Sequence, residues 1–493
     1  MPTQPLPNNP SLENLRKQAK SLRKAVQANN ADVLARVREF HPRAHEAINN
    51  FSLSDAQLVI ARSHGFASWS KLRQHLRVVD EYSWYAPEEL AGADDPKAIA
   101  DRFIRLACLT YLSDHNDRRD QARELLAAHP SICRENIYTA ATVGDVAAVQ
   151  AMLRASPGLA KTRGGPNNWE PLLYAAYSRL NSEAEGHSTL DVARLLLEHG
   201  ADPNAGFLWD GHYLFTALTG AFGEGEAGPV NQPEHQYCYQ LARLLLESGA
   251  DPNDSQTLYN RMFSGGTRHL ELLFEFGLGK GGDGVWFERL GHQLDTPSQM
   301  LVQQMCWAAK YNQMDRLRWL IEHGVDVNSP DTRHRRNPHE LALLHGNSEI
   351  AQYLLDHGAT QTALNELDAF AAACLTADAD RARSLLARNA TLVDQLGNQR
   401  AELLNLAAEA DKRDSVRLMA ELHFDVNEIK RTTPLHMAAC GGHLDMVKLL
   451  IELGADPLLR DTEFNARPFG WAEYNHQNAV AEFLEQFEPR TSA

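Results

Sequence analysis

The sequence contains little of what marks a secreted, membrane-spanning or dithiol protein. It has six cysteines in 493 residues, widely separated and with no Cys-x-x-Cys pair, which argues against zinc clips and dithiol chemistry. No uninterrupted apolar run approaches the roughly 20 residues of a membrane span. The first residues, Met1-Pro-Thr-Gln-Pro5, show no secretory signal. These absences predict a cytoplasmic protein with free thiols.

The local motifs of common enzymes are also missing. There is no Gly-x-Ser-x-Gly elbow, no Walker loop and no His-Glu-x-x-His. Glycine patterns at 223–228 and 279–284 match the dinucleotide fingerprint by letter, but neither follows a strand and opens a helix as a phosphate cradle requires. His41 and His45 are spaced for one helix face, yet no third ligand is evident. The sequence therefore predicts no catalytic residue, no metal and no cofactor.

Charge is distributed unevenly along the chain. Residues 1–80 contain 12 Lys and Arg against 6 Asp and Glu, a formal +6, so the remainder carries −22 of the net −16. Because an acidic body repels a phosphate backbone, a nucleic acid is not an expected partner, and neither is a membrane. The basic segment is free to dock to an acidic partner or to the acidic remainder of the chain.

What the sequence does contain is internal repetition. The phrase Leu195-Leu-Leu-Glu-His-Gly-Ala-Asp-Pro-Asn204 returns almost unchanged at 244–253. Shorter forms follow at 320–328, 354–359 and 450–457. In each, an apolar helix ends at a glycine that can adopt the left-handed cap, and a turn follows. A second phrase, Thr433-Pro-Leu-His-Met-Ala-Ala-Cys440, places proline in a first helical turn.

These phrases resemble the ankyrin repeat, with its Thr-Pro-Leu-His start, Ala-Ala pair and Gly-Ala-Asp end at a period of 33. Residues 433–457 match nearly position for position, and about ten helix pairs can be followed from 136 to 487. The resemblance implies an all-α, ankyrin-type solenoid of stacked helix pairs with short hairpin fingers.

The flanking segments complete the predicted organisation. Residues 1–80 resemble a small helical module that often precedes such arrays in bacterial proteins, and 81–96 reads as a linker. Residues 97–135 resemble a degenerate helix pair that caps the array at 136–487. Residues 488–493 form a tail.

Three insertions interrupt the array, at about 180–186, 223–235 and 279–296. One interpretation is that solenoid loops tolerate extra length at small entropic cost. The other is that the insertions shape a pocket around residues 169–311.

The resemblance implies that inner helices and finger tips line a concave surface. Projected onto this sequence, the positions facing it include Glu170, Tyr177, His212, Lys310 and Tyr311. Large aromatic rings nearby would favour recognition, although an aromatic residue in each unit is also ordinary core filling. The predicted binding residues are Trp169, Glu170, Tyr177, Trp209, His212, Tyr259, Lys310 and Tyr311.

The sequence thus predicts a non-enzymatic interaction protein that binds a protein partner through the concave surface of the array. The alternative is an enzyme or a small-molecule-binding protein with a pocket in the irregular repeats around 169–311. A site assembled from Tyr177, Asp210, His212 and Lys310 stays open at this point, because geometry rather than spacing makes such a site.

Overall fold

The computed structural model describes residues 6–7, 10–85, 95–112, 114–182, 184–282, 284–332 and 335–489, except for the side chain of His292. The chain forms two compact units. The first comprises residues 1–263 and 268–297, and the second comprises residues 264–267 and 298–493. The continuous array predicted for 136–487 is therefore divided between two units.

Five helices build the N-terminal part of the first unit. They are α1 (Leu12–Gln27), α2 (Ala31–Phe40), α3 (Ala44–Asn49), α4 (Leu53–Ser63) and α5 (Trp69–Tyr82). The side chains of Ser11, Ser52 and Ser68 cap α1, α4 and α5 by accepting backbone N–H bonds. The apolar sides of these helices share one buried cluster.

The rest of the first unit continues with helix pairs and short helices. These are α6 (Pro96–Ala107), α7 (Asn116–Ala128), α8 (Ile137–Val143), α9 (Val146–Ala155), α10 (Pro171–Tyr177), α11 (Thr189–Glu198), α12 (Ala217–Phe222), α13 (Gly228–Asn231), α14 (Cys238–Glu247), α15 (Ser255–Met262), α16 (Arg268–Glu275) and α17 (Val285–Leu290). The first helix of each pair, the inner helix, packs on the next one along the chain, as α8, α10 and α12 show.

The second unit repeats the same pattern, and its buried apolar residues from Ala369 to Leu484 form one continuous cluster. Its helices are α18 (Pro297–Lys310), α19 (Met314–Glu322), α20 (Pro338–Leu344), α21 (Ser348–Asp356), α22 (Glu366–Leu375), α23 (Ala379–Arg388), α24 (Leu392–Gln395), α25 (Gln399–Glu409), α26 (Arg413–Glu421), α27 (Pro434–Cys440), α28 (Leu444–Glu452), α29 (Pro468–Tyr474) and α30 (Asn478–Glu485).

The recurring Gly-Ala-Asp-x-Asn phrase has a specific structural role. The amide of Asn204 donates to the carbonyl of Gly249 at 2.9 Å and accepts from the backbone N–H of Asp251 at 2.8 Å. Asn328 makes the same pair of bonds to Gly358 and Thr360, and Asn427 makes them to Gly454 and Asp456. Each asparagine therefore stitches its turn to the turn of the following repeat. The predicted all-α ankyrin-type solenoid of stacked helix pairs is confirmed.

Short helices replace the expected hairpin fingers at three connections. They are the 3-10 helices Pro130–Arg134 and Pro157–Lys161, and α24. The preceding outer helices end at His129, Ser156 and Asn389. None of these residues is a glycine with a left-handed backbone conformation, which would end the helix and reverse the chain direction. The chain instead forms another short turn of helix.

A three-stranded sheet is a feature that the sequence prediction lacked. Its strands, in spatial order, are β1 (Ser83–Trp84), β2 (Gly206–Trp209) and β3 (Tyr213–Thr216). β2 and β3 form an antiparallel hairpin, and β1 adds to β2 in parallel. The predicted linker 81–96 is thus wrong in its first residues, which finish α5 and form β1, while residues 86–94 lie outside the described part of the chain.

The basic N-terminal segment is joined to the first unit by apolar contacts. Val78 and Val79 of α5 pack with Leu208, Leu214 and Trp286 in one buried cluster. The 279–296 insertion, which contains α17, thus supplies part of the surface on which the N-terminal helices rest. In the described residues, no helix combines the length and the apolarity needed to cross a membrane.

Candidate functional site

The inner surface of the first unit is covered by a segment of the chain itself. We call residues 107–114 the strap; Ser113 within it lies outside the described residues. The backbone N–H of Arg179 donates to the carbonyl of Ala107 at 2.8 Å, and that of Leu109 donates to Tyr177 at 3.0 Å. Tyr177 is one of the residues that the ankyrin resemblance assigns to the concave surface. The strap therefore covers part of the surface on which the ankyrin resemblance placed the predicted binding residue Tyr177.

Tyr111 anchors the strap. Its backbone is left-handed, with φ of 58°, and its ring centroid lies 4.8 Å from that of Phe215 and 6.4 Å from that of Tyr177. Burial raises the pKa of Tyr111 well above its usual range. The buried carboxylate of Asp114 holds the bend by accepting from the backbone N–H groups of Thr110 and Tyr111, at 3.0 and 2.8 Å.

The insertions hold the strap and the helix that follows it. Arg123 of α7 donates to the carbonyl of Leu180 in the first insertion at 3.3 Å, and Arg119 donates to Val230 in the second at 3.0 Å. Gln232 of the second insertion donates to Asp114 at 3.4 Å. These contacts give the extra length a structural role that neither interpretation of the insertions included.

Two buried arginines fix the second insertion, and neither was among the residues predicted from the sequence. Arg179 is 1% exposed and donates to the carbonyls of Ala176, Ser178, Gly220 and Pro233 at 2.7–3.0 Å. Arg261, which is 6% exposed, lies 2.6 Å from carboxylate oxygens of both Glu224 and Glu234. No local motif marks these residues, because Gly220 and Pro233 lie 41 and 54 residues from Arg179, and the partners of Arg261 are carboxylates that are also distant in the chain.

The structure places the predicted aromatic binding residues of the first unit in different environments. Trp169 and Tyr177 are fully buried, Trp169 being stacked 4.4 Å from Phe207. Trp209 donates its indole N–H to the carbonyl of Thr110 at 3.0 Å, and Tyr259 donates its hydroxyl to Glu226. As a correction, Trp169 and Tyr177 belong to the core, because the strap and the hairpin exclude solvent from them.

The proposed catalytic grouping does not converge in the first unit. His212 is exposed near the turn of the β2–β3 hairpin, whereas Tyr177 is buried and donates its hydroxyl to the carbonyl of Thr216 at 2.8 Å. Asp210 sits in the same turn with φ of 49°, and Lys310 belongs to the second unit. A cavity that reaches from Thr142 to His235 has a volume of about 10 Å³, which is room for one water molecule.

Glu170 has an unusual environment. It precedes the first residue of α10, and its Oε2 atom is buried with no hydrogen-bond partner among the described residues. Burial, followed by the charge of Asp202, raises the pKa of Glu170 to about 7, although Arg163 and Arg289 act in the opposite direction.

The charge on Glu170 should make folding less favourable as the pH rises. Its pKa is about 7 in the folded chain against 4.5 for an ordinary glutamate, so the folded state binds more protons between these values and loses stability as pH increases through them. Glu170→Gln removes this penalty and should raise the free energy of unfolding above pH 7 by up to about 3 kcal/mol. Urea unfolding at a series of pH values tests this.

The matched control is Glu185→Gln in the first insertion, where the side chain is exposed. That variant should keep the pH dependence of the parent. If Glu170→Gln also kept it, the carboxyl of Glu170 would have an ordinary pKa in the folded chain.

In the second unit, the predicted residues Lys310 and Tyr311 remain accessible in part. Lys310 ends α18, and its ammonium lies 5.0 Å from the ring centroid of Tyr311, which itself lies 4.2 Å from that of Trp307. Burial lowers the pKa of Lys310, and the charge of Glu409 opposes that shift. Burial likewise raises the pKa of Glu409, with Lys310 opposing it.

Glu409 ends α25 and its side chain is open to solvent, although protein surrounds it closely enough to shift its pKa. The charges of Lys310 and Glu409 each affect the pKa of the other, so these two side chains lie near enough to interact electrostatically. We call the surface formed by Lys310, Tyr311 and Glu409 the charged groove. Glu409 was not predicted from the sequence, because the position of this residue beside Lys310 depends on how the inner helices stack.

An open cavity of about 580 Å³ lies at the helix turns of the same unit. It is lined by the turns at Gly346, Thr376 and Lys412, together with Arg413 and Arg417. The ammonium of Lys412 donates to the carbonyl of His345 at 3.2 Å. Among the residues that the structure describes, no three His, Cys, Asp or Glu side chains are grouped so as to hold a metal ion.

Comparison with known proteins identifies relatives of parts of this chain. Rabankyrin-5 of Mus musculus is 26% identical over 155 residues, which are 30% of this chain and 13% of that protein. The human Rabankyrin-5 matches with the same identity and coverage. The palmitoyltransferase Hip14 of Drosophila melanogaster is 39% identical over 74 residues, 14% of this chain and 12% of that protein. The chain thus spans a small fraction of the curated relatives that it matches.

Family models describe the matched segments more closely. The model of a single ankyrin repeat matches residues 167–206, that of ankyrin repeats in many copies matches 305–355, and that of ankyrin repeats in three copies matches 369–461. The asparagine bridges from Asn204, Asn328 and Asn427 begin within these segments. By sequence and by structure, this chain contains ankyrin repeats in both of its units.

Proposed function

We propose that the chain is a non-enzymatic interaction protein that binds a protein partner in the charged groove of its second unit. Ankyrin repeats are interaction modules, and the observation that supports this location is a contrast between the two units. The strap covers the inner surface of the first unit at Tyr177 and Ser178, whereas Lys310, Tyr311 and Glu409 are accessible in the second.

The charges of the groove suit recognition. Lys310 makes no ion pair with a carboxylate among the described residues, and its pKa is lowered by burial. A partner that brings a carboxylate to Lys310, or a cation to Glu409, would give each partly desolvated charge a counter-ion. The rings of Trp307 and Tyr311 add apolar area beside these charges. A cytoplasmic location accords with this proposal and stays a prediction.

Charge reversal in the groove should weaken partner capture strongly. With the full-length chain as bait in native lysate, Lys310→Glu and Glu409→Lys should each reduce the recovered partner about tenfold or more, because each reversal leaves a like charge opposite the partner group. Tyr311→Ala should reduce it less. Quantitative mass spectrometry of the captured proteins measures the effect.

The matched control is Glu349→Lys, which reverses an exposed charge on the outer helix α21 and should leave capture unchanged. Thermal unfolding must show that every variant is folded. A partner retained equally by all of the folded variants would place the binding surface elsewhere.

A further inference from the structure

The first helix of the chain carries a dense cationic face. At about 100° per residue, Arg16, Lys17, Lys20, Arg23 and Lys24 of α1 fall within an arc of about 120°. All five are exposed, while the opposite side of the helix, which includes Leu15 and Leu22, is buried. We call these five residues the α1 face.

Most of the α1 face lacks a counter-ion. Lys17 pairs with Glu13 on the same helix at 2.8 Å. Arg16, Lys20, Arg23 and Lys24 make no ion pair with any carboxylate among the described residues. The apolar side of α1 is already buried against α4 and its neighbours, so α1 is not available to insert into a lipid layer as an amphipathic helix would. What the helix offers to another molecule is charge alone.

The last helix pair described has the opposite character. Residues 468–489 contain no lysine or arginine. Glu473 of α29 and Glu482 and Glu485 of α30 are exposed, and none of them pairs with a cation among the described residues. We call these three glutamates the α30 face.

We propose that the α1 face of one copy docks onto the α30 face of a second copy. Charge complementarity carries this inference, since each face is rich in one sign and, apart from the pair of Lys17 with Glu13, makes no ion pair within the part of the chain that the structure describes. Their spacing also agrees, because Lys20 and Arg23 are three residues apart on one helix and Glu482 and Glu485 three apart on the other, about 4.5 Å along each axis.

The contact has a defined symmetry. It uses a different surface on each copy, so it is head-to-tail and generates rings or open chains rather than two-fold dimers. A bilayer or a nucleic acid duplex is a less suitable partner for the α1 face. Because α5 and β1 fix the N-terminal helices against the acidic first unit, a surface extending beyond them would meet a body of like charge. A second copy has the same net charge of −16, so the attraction in the proposed contact is confined to the local pairing of the α1 face with the α30 face.

Sedimentation velocity of the full-length chain over about 5–200 µM tests the proposal. At low salt the weight-average sedimentation coefficient should rise with concentration. At about 500 mM salt, where the screening length falls to about 4 Å, it should return to the monomer value. The triple variant Lys20→Glu, Arg23→Glu, Lys24→Glu should have an association constant lower by about tenfold or more, since each exposed ion pair contributes a factor of a few.

A charge swap makes the test specific. The variant Glu473→Lys, Glu482→Lys, Glu485→Lys should be weakened to a similar extent by itself, and mixing it with the reversed α1 variant should restore association. The matched control reverses three exposed cations of α5, Lys71, Arg73 and Arg77, and should associate like the parent.

Three results would overturn the proposal. They are a parent chain that stays monomeric at low salt, a mixture of swapped variants that fails to associate, and an α5 control that loses association as fully as the α1 variant. Binding of a DNA duplex or of phosphatidylserine vesicles through the α1 face, by a chain that remains monomeric, would also reject it. The charged groove is untouched by all of these variants, so the proposed function is tested separately.

Discussion

Replacing Arg179 with alanine is expected to destabilise the first unit by about 3–5 kcal/mol, because four backbone carbonyls lose their shared donor in the interior. The guanidinium joins the end of α10 to Gly220 of α12 and to Pro233 of the second insertion. Hydrogen exchange measured by mass spectrometry should therefore speed up throughout 171–235. Exchange in 434–485 should stay unchanged, since that segment belongs to the other unit.

The control for Arg179→Ala is Arg194→Ala, which removes an exposed arginine from α11 in the same unit and should cost little. Arg179→Lys should remain well below the parent in stability, because an ammonium lacks the planar fork that reaches several carbonyls at once. Unchanged exchange in Arg179→Ala would mean that water or other donors satisfy these carbonyls.

Replacing Trp169 with alanine should also cost about 3–5 kcal/mol of stability in the first unit, through the cavity left by the ring. The indole is fully buried, and it lies 4.4 Å from Phe207, 5.2 Å from Tyr177 and 6.0 Å from Trp84, measured between ring centroids. Thermal unfolding followed by exchange in the same peptides measures the loss.

Trp209→Phe provides the comparison for Trp169→Ala. It keeps an aromatic ring and removes the hydrogen bond to Thr110, so it should cost about 1 kcal/mol. A Trp169→Ala chain with the stability of the parent but without partner capture would return Trp169 to the role of a binding residue.

Much of the fold could be predicted because the residues that form the contacts between ankyrin repeats occur in short, recurring sequence motifs. The glycine that ends an outer helix and the asparagine that follows it are a few residues apart, and Asn204 performs the same bond pair as Asn328 and Asn427. The hairpin could also have been found, since Asp210-Gly211 between two short apolar runs is a strong hairpin signal.

The strap could not be predicted in this way. Its partners at Tyr177 and Arg179 lie far along the chain from Ala107 and Leu109, and backbone hydrogen bonds leave no mark on side-chain pattern. Tyr177 was assigned to the inner surface from its position in the repeat. That position does not show that another segment of the chain covers the surface. Lys310 and Tyr311 remain partly accessible because no described segment of their own unit covers them as the strap covers Tyr177.

The attachment of β1 has a consequence for how the protein assembles as it is made. Ser83 pairs with Leu208 and Trp84 with Trp209, so these strands cannot meet until about 125 further residues have left the ribosome. The five N-terminal helices can collapse around their own apolar cluster early. They can pack against the β2–β3 hairpin only after it has emerged. Until then Val78 and Val79 remain exposed to chaperones and to neighbouring nascent chains.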